Sequence, residues 1–103
     1  MPIVLCLHQT KATQIGKKAT RITIRDTRTR WGSCSFKGCL SFSWRLVMAP
    51  PGVLDYVVAH EVAHLAHMNH GPEFWDTVDS LCPNASNGRA WLSENGSALH
   101  RIG

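Results

Sequence analysis

The pattern of apolar and polar positions changes period along the chain. From Thr20, "TRITIRD" alternates and reads as a strand with Ile22 and Ile24 on one face. A second strand is expected over "RWGSCS". It turns at Phe36-Lys37-Gly38, where glycine tolerates positive φ, into a third, "CLSFSWRLV". In "APPGVLDYVVAHEVAHLAHM" the period becomes helical, with Val53, Val57, Ala63 and Leu65 suggesting a largely buried helix. The prolines at 50 and 51 suit its start, where a missing N–H costs little. Asn69-His70-Gly71 is expected to end it, because Asn and Gly accept the left-handed conformation. Pro72 opens a further helix, "PEFWDTVDSLC", and "SNGRAWLSEN" suits a last short one after Pro83-Asn84. Residues 3–17 fit two readings. "IVLCL" could begin a strand, whereas Val4, Leu7, Ala12 and Ile15 could line one helical face.

The arginines disturb the first strand. Arg28 and Arg30 share the even parity of Ile22 and Ile24, so an unbroken strand would turn them toward the core face. A break at Asp26-Thr27 is therefore expected. The whole pattern implies an α+β fold with a short, mostly antiparallel sheet, and 103 residues fit one small domain, 1–103.

A hydrophobic fraction of 44% argues against disorder, and the apolar runs are too short to span a bilayer. The start, "MPIVLCLHQT", has neither the basic leader nor the long apolar run of a signal peptide, so a cytoplasmic location is expected. The cysteines at 6, 34, 39 and 82 then default to free thiols, with a Cys34–Cys39 bridge across the hairpin as the alternative. The net charge of +4 and the cluster "RITIRDTRTR" suit a solvated strand edge, with at most weak, salt-sensitive and non-specific affinity for nucleic acid. Oligomeric state is not legible.

Chemistry concentrates in "HEVAHLAHMNH", which puts four histidines and one glutamate into eleven residues. His60 and His64, four apart on a helix, can direct both imidazoles at one ion. Glu61 lies about 100° round the helix, beside the pair, where its carboxylate can reach a water without occupying the metal. Two histidines hold zinc weakly, so a third ligand is expected. His67 lies about 10 Å along the axis from His60, too far for one ion, and is expected to pack or hydrogen-bond at the helix end. His70 follows the break and can swing back under the pair. The spacing of His60, His64 and His70 matches a known three-histidine pattern, although His67 stands where that pattern has its turn glycine. Glu73 is the rival third ligand.

"TRWGSC" and "WRLVMAPPGVLDYVVAHEVAHLAHMNHGPEFW" together resemble the YgjP-like metal-dependent hydrolases, also described as M48-like. They are also similar to the SprT-like and minigluzincin proteases. The resemblance covers roughly residues 20–82 and implies a zincin-like domain. It also implies zinc on His60, His64 and His70, and Glu61 as the catalytic residue. Many of those proteins carry a longer N-terminal portion than this chain, which then reads as a minimal form or a fragment.

On this reading zinc activates a water, Glu61 takes its proton as general base, and a polypeptide is hydrolysed. Tyr56, Arg45 and His67 are the candidates for a further oxyanion donor. An extended peptide is expected to add to the edge of the hairpin, whose Trp31 and Trp44 suit the core better than a substrate platform. A nucleotide phosphoanhydride hydrolase is the alternative, motivated by arginines 25, 28, 30 and 45. A non-enzymatic nucleic-acid-binding module with structural zinc is the third reading. It leaves Glu61 without a purpose.

Overall fold

A computed structural model describes residues 2–26 and 31–100. Helix α1 (Pro2–Gln14) is followed by strands β1 (Arg21–Arg25), β2 (Gly32–Cys34) and β3 (Cys39–Ser43). A 3-10 turn (Trp44–Met48) leads to helices α2 (Pro51–Ala63), α3 (Pro72–Leu81) and α4 (Ala85–His100). The ambiguous first segment is thus helical. Ala12 joins the core, with Leu7 and Ile15 packed against it.

Helix α2 is the centre of the molecule. Val53, Leu54, the run Tyr56–Ala59 and Val62–Ala63 are all buried, so it is apolar nearly all round, as a helix covered on every side must be. It contacts α1, α3, α4 and β2. Leu40 and Phe42, two apart on β3, point the same way and meet Leu46, Val58, Val62, Phe74 and Val78 in the fully buried core. Pro50 caps α2 and Pro51 occupies its first turn, as the sequence suggests.

The α+β class stands, but the sheet is mixed rather than mostly antiparallel. Its order is β1-β3-β2. The hairpin pair β2–β3 is antiparallel, whereas β1 runs parallel to β3, with Ile22 beside Leu40 and Ile24 beside Phe42. The β2–β3 hairpin is local and its tight turn forces the antiparallel sense. Strand β1 takes the far edge of β3, and this long-range choice of partner leaves no mark in the alternation of β1 itself. β1 ends at Arg25, with Asp26 outside it. Arg28 and Arg30 lie outside the described residues.

Buried cations are tied down. Lys11 of α1 donates to the Leu81 carbonyl (2.6 Å) and pairs with Asp55 of α2 (2.8 Å). Arg45 is fully buried, pairs with Asp26 and lies over the Trp44 ring, whose Nε1 also donates to Asp26 (3.2 Å).

Cys34, Cys39 and Cys82 are free thiols. Cys34 stands opposite Leu40 in the register, so Cys39, one residue before Leu40, directs its side chain to the other face of the sheet. A bridge between them would require the hairpin to slip. Burial, helped by Glu61 and Cys39, pushes the Cys34 thiol up to about 11, and burial, with Asp55, does the same to Cys82. Both folded-state values lie above the ordinary 9.0. Protons on these thiols therefore favour the fold below pH 9, and this contribution is lost as pH rises through 11. Melting temperature measured against pH should accordingly fall between those values. The fall should be shallower in a Cys34→Ser/Cys82→Ser variant.

Candidate metal centre

The last turn of α2 is where the site begins. The regular helix stops at Ala63, several residues before Asn69, and no left-handed residue ends it: among the described residues only glycines 16 and 38 have positive φ. Instead the turn tightens. His64, Leu65 and Ala66 each donate to the carbonyl three residues back, at 3.1, 2.9 and 3.1 Å. His64 keeps helical dihedrals (φ −65, ψ −19), so its spacing from His60 survives. The chain then reverses and enters α3 through an extended Gly71.

This reversal brings His70 back to the pair. Ring centroids are 5.1 Å apart for His60–His64, 4.8 Å for His64–His70 and 5.4 Å for His60–His70. One ring nitrogen from each lies within 4.8 Å of the others. Nitrogens bonded to one zinc at about 2.1 Å sit at most about 4.2 Å apart, so the set must close slightly on an ion. His70, exposed and outside any helix, has the freedom to do so.

The tautomers favour ligation. His64 Nδ1 donates to the His67 carbonyl (3.0 Å), and His60 Nδ1 to Glu61 Oε2 (3.0 Å). In each case Nε2 keeps its lone pair, the arrangement typical of metal-binding histidines. Burial lowers the pKa of His64, opposed by its bond to the His67 carbonyl and by Glu61, and assisted by His60 and His70. A neutral imidazole is what a metal needs.

The other candidates go elsewhere. The His67 side chain faces Glu73 at 3.9 Å, and Glu73 stays exposed, outside the histidine cluster. Arg45 is committed to Asp26. Tyr56, in contrast, lines a cavity of about 280 Å³ together with Trp31, Gly32, His60, Glu61 and Leu92. Burial raises its pKa despite the opposing Arg89, with smaller upward contributions from Glu61 and Cys82, so its hydroxyl remains a donor. Trp31 both packs on the core and faces this cavity.

Two supports escaped the sequence reading. Phe74 is fully buried beneath the three imidazoles, 5.1, 4.4 and 4.9 Å from the rings of His60, His64 and His70. Trp75 stacks on His70 at 5.9 Å. The signal was the apolar pair just inside the α3 start, four and five residues beyond His70. The second support is Gly32 of β2. A Cβ there would stand 2.9 Å from Glu61 Cγ and 3.1 Å from the Ser41 backbone oxygen. Gly32→Ala should thus displace the Glu61 carboxylate. If Glu61 is the base, turnover should fall about tenfold to a hundredfold at unchanged metal content. Paired kinetics and elemental analysis would show it, and full activity would refute the role of this contact.

The YgjP-like metallopeptidase domain matches residues 4–95. The chain belongs to the YgjP-like metallopeptidase family. No curated protein matches it. In fold this YgjP-like domain is similar to the crystal structure of the metallopeptidase zymogen abylysin of Pyrococcus abyssi. The TM-score is 0.76 over 88% of this chain and 93% of that one, at 21% identity. The YgjP-like match implies a metal ion, and the three-histidine cluster is a set of side chains able to hold one. Among the described residues no helix is long and apolar enough to cross a membrane.

Proposed function

We propose that the chain works as a single metallopeptidase domain, with zinc on His60, His64 and His70 and Glu61 as general base. The observation that carries this reading is the pairing of three convergent imidazoles with a carboxylate only 4% exposed beside them. Three converging imidazole donors beside a buried carboxylate suit zinc in a catalytic rather than a structural role. Zinc bound there would supply Lewis acidity toward a water and a peptide carbonyl.

The chain's own residues do the rest. Glu61 accepts a proton from the attacking water and returns it to the leaving nitrogen. Its neighbour His60 and the glycine at 32 hold the carboxylate in place. Tyr56, which lines the same cavity and whose pKa burial raises, offers a hydroxyl donor for the developing oxyanion. Strand β2 is the edge of the sheet beside α2, so an extended polypeptide can add to it and lie across the histidines.

The phosphoanhydride alternative loses one of its supports, since Arg45 is buried against Asp26. Zinc-loaded protein should therefore degrade casein and leave nucleoside triphosphates intact. Triphosphate hydrolysis that depends on Glu61, with casein untouched, would replace this reading.

A further inference from the structure

We infer that a cleft beside His64, walled by Lys17, Lys18 and Lys37, is a subsite for an acidic side chain of the polypeptide substrate. The inference rests on the metallopeptidase reading and names the substrate class. The cleft encloses about 160 Å³ and reaches His64 itself. One wall is the segment after α1 and the other is the β2–β3 turn. Thr20 joins them at the backbone: its N–H donates to the Gly38 carbonyl (2.9 Å) and its hydroxyl to the Lys37 carbonyl (2.7 Å). The lysines thus sit on walls of fixed separation rather than on independent loops.

Charge selects the ligand. No carboxylate lines the cleft, and among the described residues no ion pair engages Lys17, Lys18 or Lys37. The chain has only four lysines, and the fourth, Lys11, is buried against Asp55. Three lysines lining one concavity, with no acidic residue beside them, create a positive potential that an anion relieves. Phe36, 83% exposed, adds an apolar lip beneath Lys37, whose ammonium lies 5.9 Å from the ring centroid.

Position makes that anion part of a substrate. The chain around β2 begins at the cavity of Glu61, which Trp31 and Gly32 line, and leads to the cationic cleft, which Ser35 and Phe36 line. A peptide extended along β2 advances about 3.3 Å per residue, so a side chain about two or three residues from the attacked bond reaches the lysines.

The test uses quenched-fluorescence peptides that carry Glu or Lys at successive positions on either side of the cleaved bond. With the zinc-loaded protein, kcat/KM should favour Glu at one such position by about fivefold or more. The gap should shrink in about 0.5 M salt and reverse in a Lys18→Glu/Lys37→Glu variant. Equal rates, or a preference that survives the charge reversal, would overturn the subsite. If no peptide is cut, the metallopeptidase reading has failed, and binding decides the subsite independently. Fluorescence polarisation with Glu61→Gln protein should show the Glu peptide bound more tightly than the Lys peptide, and the advantage lost on charge reversal. Failure of either, or displacement by inorganic triphosphate at far lower concentration than by unlabelled Glu peptide, would exclude an acidic-peptide site.

Discussion

Replacing Glu61 by Gln is expected to reduce peptide hydrolysis by about a hundredfold to ten-thousandfold, the range over which a positioned base accelerates proton transfer. The substitution is nearly isosteric, and an amide oxygen can still accept from His60 Nδ1, as the carboxylate does at 3.0 Å. Ring orientation at the metal site is thus preserved, and zinc content should match that of the wild type. Folding stability should not fall either, because the amide fills the same space, only 4% exposed, and keeps an acceptor for His60. What the amide cannot do is hold the proton of the attacking water. Single-turnover rates on a casein-like substrate, measured beside zinc content and melting temperature, isolate that loss. Turnover near the wild-type level would remove Glu61 from the mechanism.

The second large effect concerns metal content. His70→Ala takes away one of three converging nitrogens, and the remaining pair should retain less than about a tenth of the zinc after dialysis against a mild chelator. His67→Ala should keep nearly all of it. The reason is a division of labour within one residue: the His67 carbonyl orients His64, whereas its side chain only approaches exposed Glu73 at 3.9 Å. Alanine keeps the carbonyl. Glu73→Ala, which removes the rival ligand, should likewise leave zinc in place. Elemental analysis giving the opposite order for positions 67 and 70 would dismiss the proposed ligand set.

The sequence was most informative where the deciding forces are local. Two prolines and a helical apolar period place α2, and four-residue spacing puts His60 and His64 on one face. Local information failed at the end of that helix. Asn69 and Gly71 have the chemistry of left-handed terminators, yet α2 closes earlier through three-residue hydrogen bonds, and Gly71 is extended. His70 converges by a tertiary reversal, held from below by Phe74, which periodicity alone could not assign to the site. The parallel partnership of β1 with β3 was equally hidden, because Ile22 and Ile24 alternate identically in either direction. Gly32 illustrates a third limit. Its importance is the absence of a side chain where Glu61 comes close, and absence has no period.

For anyone hoping to transplant this centre, the Lys11 contacts set the smallest portable unit. Helices α2 and α3, with the turn that carries His64 between them, look like a self-sufficient hairpin of residues 51–81. Yet one ammonium group from α1 grips Asp55 in one helix and the terminal Leu81 carbonyl of the other. An excised hairpin would surrender that clasp together with the apolar cover of Ala12 and Leu7. Grafting must therefore carry the first helix along, or build a replacement cation and its hydrophobic sheath into the recipient scaffold.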